Sequence, residues 1–276
     1  MRDLLAGAML EPVKNQQRGE LAVCGLEAVR SLAKARPDAV RRFFFLNEHA
    51  REFGALCASL AKARRPYRLV ENAELEKLSG TVHHQGVVAM VADEGPRRLD
   101  ENLPRAWADS GARVILLDRV GDDHNLGSIA RSAAFFGFAA IVLSERDKAA
   151  RLTTAAYRVA RGALEHIPVY ADESAARFLA RCKGIIHSVG ADNRAKADIR
   201  AYRLSTAASS PRGGVPALVV ALGNEETGLE ADTRAACDEL VRIDGSGLVE
   251  SLNVAQAAAV FLYRFEIGRA SCRERG

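Results

Sequence analysis

Three clusters of polar residues and glycine follow three of the most apolar stretches of the chain. Asn125 and Arg131 come after Val114–Leu117. Gly223, Asn224, Glu225 and Gly228 come after Leu218–Leu222. Asp244, Gly245, Gly247, Ser251, Leu252 and Asn253 come after Val241 and Ile243. Each apolar stretch reads as a buried strand, and in open α/β sheets ligands bind beyond the carboxyl ends of strands. The gathered groups are amide, guanidinium, carboxylate and hydroxyl. They suit orientation of a nucleophile and stabilisation of charge more than strong acid–base work. Glycine lets backbone approach a ligand closely, and Gly223 is where that need is expected first.

Two common nucleotide-binding patterns do not fit. Gly223 and Gly228 have P-loop spacing, but Leu229 and Glu230 stand where Lys and Ser or Thr are required. No G-x-G-x-x-G opens a predicted helix, which disfavours a nucleotide-dependent oxidoreductase. Cysteines at 24, 57, 182, 237 and 272 have neither disulfide nor zinc spacing. His83 and His84 are adjacent and point apart, so no metal is expected.

The chain has 276 residues, 48% hydrophobic and 27% charged, within the range of globular proteins. That length favours two domains. No apolar run of about 18 residues is present, and the start turns acidic too soon for a signal peptide. Cytoplasmic residence is the expectation. Net charge is +4, and residues 1–100 carry 16 Lys and Arg against 13 Asp and Glu. This is no broad nucleic-acid footprint. Lys62, Arg64, Arg65 and Arg68 form a local cluster that suits phosphate contact and a solvated helix end equally well.

The clusters need a scaffold, and periodicity supplies one. Residues 20–35 carry Leu21, Val23, Leu26, Val29 and Leu32, with helical spacing in the later part; 41–46 reads as a strand around Phe43, Phe44 and Phe45, 48–64 as a helix, 67–70 as a strand, 72–78 as a helix and 87–92 as a strand. Together, residues 10–92 make a small β/α domain. Residues 93–112 are polar and proline-bearing and read as a linker. From 113 to 266, strands at 113–118, 139–143, 184–189, 217–222 and 239–243 alternate with helices, the pattern of a parallel sheet. Thr206–Gly214 reads as a surface loop. Residues 268–276 abandon the apolar pattern of the last helix and read as a cloning or read-through scar.

Taken as a set, the three clusters resemble the motifs of the SpoU branch of the SPOUT RNA methyltransferases, the TrmH family, over roughly residues 110–266. Cys24–Val29 and His84–Ala89 resemble the small L30e-like domain that precedes the catalytic domain in that family. The resemblance implies an α/β fold: a C-terminal trefoil-knotted SPOUT domain with a parallel sheet, preceded by an L30e-like substrate-binding domain. It implies S-adenosylmethionine as cofactor, a ribose 2′-hydroxyl in tRNA or rRNA as acceptor, and a homodimer formed through the knot domain.

By the same resemblance, Asn125, Arg131, Glu225, Ser251 and Asn253 are the catalytic set. His187, Ser188, Val189, Gly190, Leu222, Gly223, Asn224, Ile243, Ser251 and Leu252 are the cofactor set. Guanidinium groups hold their proton far above neutral pH, so Arg131 is expected to orient and stabilise rather than act as a base. Asp244 departs from the family pattern, where proline is common, and adds negative charge beside the cofactor or RNA. The alternative is a non-catalytic RNA-binding protein on a degenerate scaffold of the same kind.

Overall fold

The computed structural model describes residues 15, 17–145, 150–203 and 216–273, with side chains up to residue 266. The expected loop at Thr206–Gly214 and the last three residues of the tail lie outside the described residues. The chain divides into two compact units. One is the chain up to Gly95 joined by Leu152–His166; the other is Pro96–Arg151 and the chain from Ile167 onward.

The first unit holds β1 (Glu20–Cys24), α1 (Leu26–Ala35), β2 (Arg42–Phe45), α2 (Gly54–Lys62), β3 (Tyr67–Leu69), α3 (Asn72–Ser79) and β4 (Val87–Ala92). Its sheet has the order β1-β4-β2-β3, with β4 antiparallel to both neighbours and β2 parallel to β3. Residues 20–24, ahead of the helical spacing, form a strand. Val23 enters one core with Val29 and Phe43, while Ala22 and Cys24 enter the opposite one with Leu75 and Met90. Burial on both faces removes the polar alternation that marks a strand in sequence. Phe43 stacks on Phe45 at 5.0 Å and tilts against Phe53 at 5.2 Å.

The basic cluster is partly consumed by the fold. Arg65 donates to the carbonyl of Val40 at 2.8 Å. Arg68 pairs with Glu74, and its guanidinium lies 5.6 Å from the Phe44 ring centroid.

Leu152–His166 completes this unit. Tyr157 is buried in the core that contains Val29 and Phe43, with Leu152 and Leu164 packed against it. Arg36 donates to both carboxylate oxygens of Glu165 at 2.6 and 3.1 Å, and Ser31 Oγ lies 3.1 Å from His166 Nε2. Gly162 makes the fit possible, because at φ +91° a Cβ there would stand 2.5 Å from that of Ser31.

The second unit is one eight-stranded parallel sheet. In chain order it comprises β5 (Arg97–Arg98), α4 (Leu103–Ser110), β6 (Arg113–Asp118), α5 (Asp123–Phe135) and β7 (Ala140–Ser144). The helix α6 (Thr154–Ala160) belongs to the first unit. There follow β8 (Val169–Asp172), α7 (Ala175–Cys182), β9 (His187–Ala191), β10 (Ala197–Asp198), β11 (Leu218–Gly223), α8 (Ala231–Ala236), β12 (Glu239–Arg242) and α9 (Val254–Arg273). The sheet order is β10-β12-β9-β11-β6-β7-β8-β5.

Between 93 and 112 the chain is not featureless. Pro104 suits the first turn of α4, and Trp107 on that helix packs edge-on to Phe178 and Tyr170. Strand β9 begins three residues later than the apolar pattern suggests, since Ile185 and Ile186 close the turn after α7 by donating to Cys182. On α9, Val254, Ala258, Phe261, Leu262 and Phe265 are buried.

Candidate active site

Parallel pairing brings the carboxyl ends of β6 and β11 side by side, with Leu222 opposite Leu117 and Gly223 opposite Asp118. Beyond β6, Asp122 caps α5 by accepting the His124 amide at 2.8 Å, a usual N-cap arrangement. Asn125 follows in the first turn and is buried. Its amide nitrogen donates to Glu225, from the loop after β11. Its amide oxygen accepts from Asn253 Nδ2 at 3.0 Å, from the loop before α9. Asn253 also caps that helix, since its Oδ1 accepts the Ala255 amide at 2.9 Å. One residue from each cluster therefore meets in a single line, Asn253 to Asn125 to Glu225.

Beside this line is a cavity of about 320 Å³, lined by Leu222–Leu229, Ala191–Arg194, Arg234, Val241, Ile243, Glu250–Leu252 and the α9 residues Val254, Ala257 and Phe261. Leu222, Gly223, Asn224, Glu225, Ile243, Ser251 and Leu252 are thus brought to one wall system. His187, Ser188, Val189 and Gly190 are not among its lining residues; the β9 side of the cavity is formed by Ala191–Arg194. The reason is strand polarity: the chain reaches the cavity only as β9 ends, at Ala191. Ser188 instead donates its backbone and hydroxyl hydrogens to Asp238, at 2.9 and 2.7 Å. Burial works against the Asp238 charge, but Ser188 and Lys183 outweigh it and hold the carboxyl below its usual range. His187 faces Tyr202, with Nε2 3.4 Å from the phenol oxygen.

Gly223 is required by its own loop. A Cβ there would overlap the Gly228–Leu229 peptide, which folds back so that Asn224 and Gly228 exchange backbone hydrogen bonds of 3.1 and 2.9 Å. The close approach expected of a ligand is made by the chain itself. Asn224 shapes the loop as well, accepting from the Glu226 and Thr227 amides at 2.9 and 3.2 Å and donating to the Arg119 carbonyl at 3.1 Å.

Arg131 lies on an exposed part of α5, with no hydrogen-bond or ion-pair partner among the described residues. Six residues of helix separate it from Asn125, about 240° of rotation from it around the axis. The structure therefore does not bring it into the Asn125 line. Ser251 is exposed at the cavity rim. Asp244 lies outside the cavity lining, 3.1 Å from Arg200 Nη2 and 3.7 Å from Arg242 Nε, so its charge is met by arginine.

Several residues carry no motif signal and emerge only here. Buried Asp118 accepts the Glu230 amide at 2.9 Å, while Arg119, at φ 56°, pairs with Glu230. Asp192 pairs with Arg234 at 2.6 Å. Lone acidic and basic residues are too common in sequence to stand out; their partners lie 42 or more positions away. No group of three or more potential metal ligands occurs among the described residues. His84 is buried, its Nδ1 accepts the Gly86 amide at 3.1 Å, and burial lowers its pKa. No helix among the described residues is long and apolar enough to cross a membrane.

Comparison with known proteins gives the arrangement a lineage. Residues 112–263 match the SpoU rRNA Methylase family, and residues 22–97 match the family described as RNA 2′-O ribose methyltransferase substrate binding. The chain is 35% identical over 266 residues to the 23S rRNA (guanosine-2′-O-)-methyltransferase RlmB of Acinetobacter baylyi, covering 91% of this chain and 96% of that one. It is 30% identical over 255 residues to the uncharacterized tRNA/rRNA methyltransferase YfiF of Escherichia coli O157:H7, covering 91% and 69%. Its fold is shared with the SpoU methyltransferase AviRb of Streptomyces viridochromogenes, solved with AdoMet, at a TM-score of 0.70 and 24% identity over 94% and 93% of the chains. The match spans all three polar clusters and the sheet that carries them, and the chain belongs to the SpoU methylase family.

Proposed function

We propose that this protein transfers a methyl group from S-adenosylmethionine to a ribose 2′-hydroxyl of ribosomal or transfer RNA. The observation that carries the reading is the Asn253–Asn125–Glu225 line standing beside the cavity. Three loops remote in sequence converge there with their polar groups satisfied by one another, which is preorganisation rather than packing.

The cavity fits the cofactor by the chemistry of its walls. Leu222, Ile243, Leu252 and Phe261 offer an apolar bed for an adenine ring. Backbone groups of residues 191–194 and 222–228 supply donors and acceptors. Glu225, Glu226 and Glu250 offset positive charge. Bound there, S-adenosylmethionine would supply an electrophilic methyl group on a sulfonium, its S–C bond giving way to the new bond to the ribose oxygen, with the thioether S-adenosylhomocysteine as leaving group and the hydroxyl proton passing to solvent.

The chain's residues divide the remaining work. Gly223, Asn224, Ile243, Ser251 and Leu252 hold the cofactor, and Ala191–Arg194 close the wall expected of residues 187–190. Asn125, fixed at both ends of its amide, holds Glu225 in place. Arg131, free on its helix, clamps an RNA phosphate with two parallel hydrogen bonds and stabilises charge at the acceptor.

The same reading takes the second unit to be trefoil-knotted, the first to grip RNA as an L30e-like domain, and the protein to act in the cytoplasm as a homodimer. Exposed apolar side chains support the dimer: Phe135 is 84% exposed and Tyr263 57%, and Phe136 lies 6.0 Å from Tyr263. Purified protein incubated with methyl-labelled cofactor and total RNA should yield labelled 2′-O-methyl nucleosides after digestion. RNA binding with no label transferred to any RNA would favour the non-catalytic alternative.

A further inference from the structure

We infer that Arg234 is a positioning residue of the methyl-donor pocket, tying the turn after β9 to the loop after β11 and so fixing two cavity walls against each other. The inference rests on reading the cavity as the S-adenosylmethionine site.

Strands β9 and β11 pair in parallel from His187 opposite Leu218 to Gly190 opposite Ala221, and there the ladder ends. The cavity begins just beyond, between residues 191–194 on one side and 222–229 on the other. Arg234 bridges the gap that the ladder leaves. Its Nε stands 2.6 Å from Asp192 Oδ2, and its Nη2 donates to the Leu229 carbonyl at 3.2 Å. Asp192 is a fixed anchor: its side chain is 6% exposed, and its other oxygen accepts the Arg194 amide at 2.8 Å. Leu229 is buried as well. The Asp192 contact is an ion pair and the Leu229 contact a hydrogen bond, so one extended guanidinium engages both walls at once; an ammonium is a single point charge without that planar reach. Removal of Arg234 would leave the nearly buried Asp192 carboxylate with only the longer contact to the exposed Arg194, Nε at 3.8 Å, and one wall free to shift. A wall that must be ordered anew around the ligand takes that cost out of binding, so cofactor affinity falls.

The test compares wild type, Arg234→Ala, Arg234→Lys, Asp192→Asn and the Ala–Asn double variant, in full-length protein. Calorimetric titration with S-adenosylmethionine should show about tenfold weaker binding for Arg234→Ala and Asp192→Asn. The double variant should be no weaker than either, because both remove one tie. Arg234→Lys should fall between. In steady-state assays the KM for the cofactor should rise while kcat and the KM for RNA stay within twofold, a split that general loss of fold would not produce. Arg234→Lys and Asp192→Asn keep the question open to measurement should Arg234→Ala fold poorly. Unchanged cofactor affinity in folded variants, or fully additive losses, would overturn the inference while leaving the cofactor site intact. A wild-type protein that takes up no cofactor would overturn the underlying reading itself.

Discussion

Asn253 Nδ2 lies 3.0 Å from Asn125 Oδ1, a hydrogen bond between residues 128 positions apart. It joins the cap of α9 to the first turn of α5, and the same Asn125 amide continues to Glu225. Neither neighbour can be replaced by an apolar group without leaving an amide atom of Asn125 unmatched. Asn125→Leu should destabilise the protein by about 1–3 kcal/mol, because two hydrogen bonds of a buried amide are lost while half-buried Glu225 and exposed Asn253 can turn to solvent, and abolish methyl transfer. A double-mutant cycle of Asn125→Ala and Asn253→Ala, read by urea denaturation, should show less than additive loss.

Substitution of Gly223 should act on the fold of its loop before it acts on the ligand. Even Gly223→Ala places a Cβ inside the Gly228–Leu229 peptide. A loss of about 1–3 kcal/mol is expected from such overpacking, with cofactor binding lost in parallel. Thermal unfolding beside calorimetric titration checks this; a fully stable variant with weakened binding would return the close approach to the ligand.

Arg131 offers the opposite case. It is exposed and has no partner among the described residues, so Arg131→Ala should change stability by less than about 0.5 kcal/mol. Single-turnover methyl transfer should nevertheless fall by about 10²-fold or more, with Arg131→Lys also impaired because the fork is lost. Cofactor affinity should stay within about threefold, or roughly 0.7 kcal/mol. Near-wild-type turnover would make Arg131 an ordinary surface charge.

Leu152–His166 should behave as part of the first unit in solution. A chain starting near Ala106 lacks the core that buries Tyr157 and the arginine that pairs with Glu165, whose side chain is 1% exposed. Limited proteolysis should cut the shortened chain within 152–166 and spare that stretch in the full chain. Equal resistance would separate the segment from the unit.

Cys24, Cys182 and Cys237 should resist alkylation in the native protein. Burial pushes each thiol up to about 12, so the reactive thiolate is scarce near neutral pH. Mass spectrometry after iodoacetamide treatment at pH 7.5 should find these three unmodified until denaturant is added.

The sequence by itself determined the strands β6, β7 and β11, because short unbroken apolar runs with polar residues at their ends read as strands buried on both faces. The grouping of Asn125, Arg131, Glu225, Ser251 and Asn253 came from the resemblance of their motifs to the SpoU family, since residues so far apart share no spacing of their own. Tertiary structure decided what each does with its neighbours. Strand polarity moved one cavity wall from residues 187–190 to 191–194, and a fold-back peptide gave Gly223 a structural reason to be glycine. The Arg234–Asp192 tie and the packing of residues 152–166 on α1 depend on contacts between remote positions. A local pattern carries periodicity and capping, whereas a cation and its carboxylate 42 residues away share no spacing that marks them as partners.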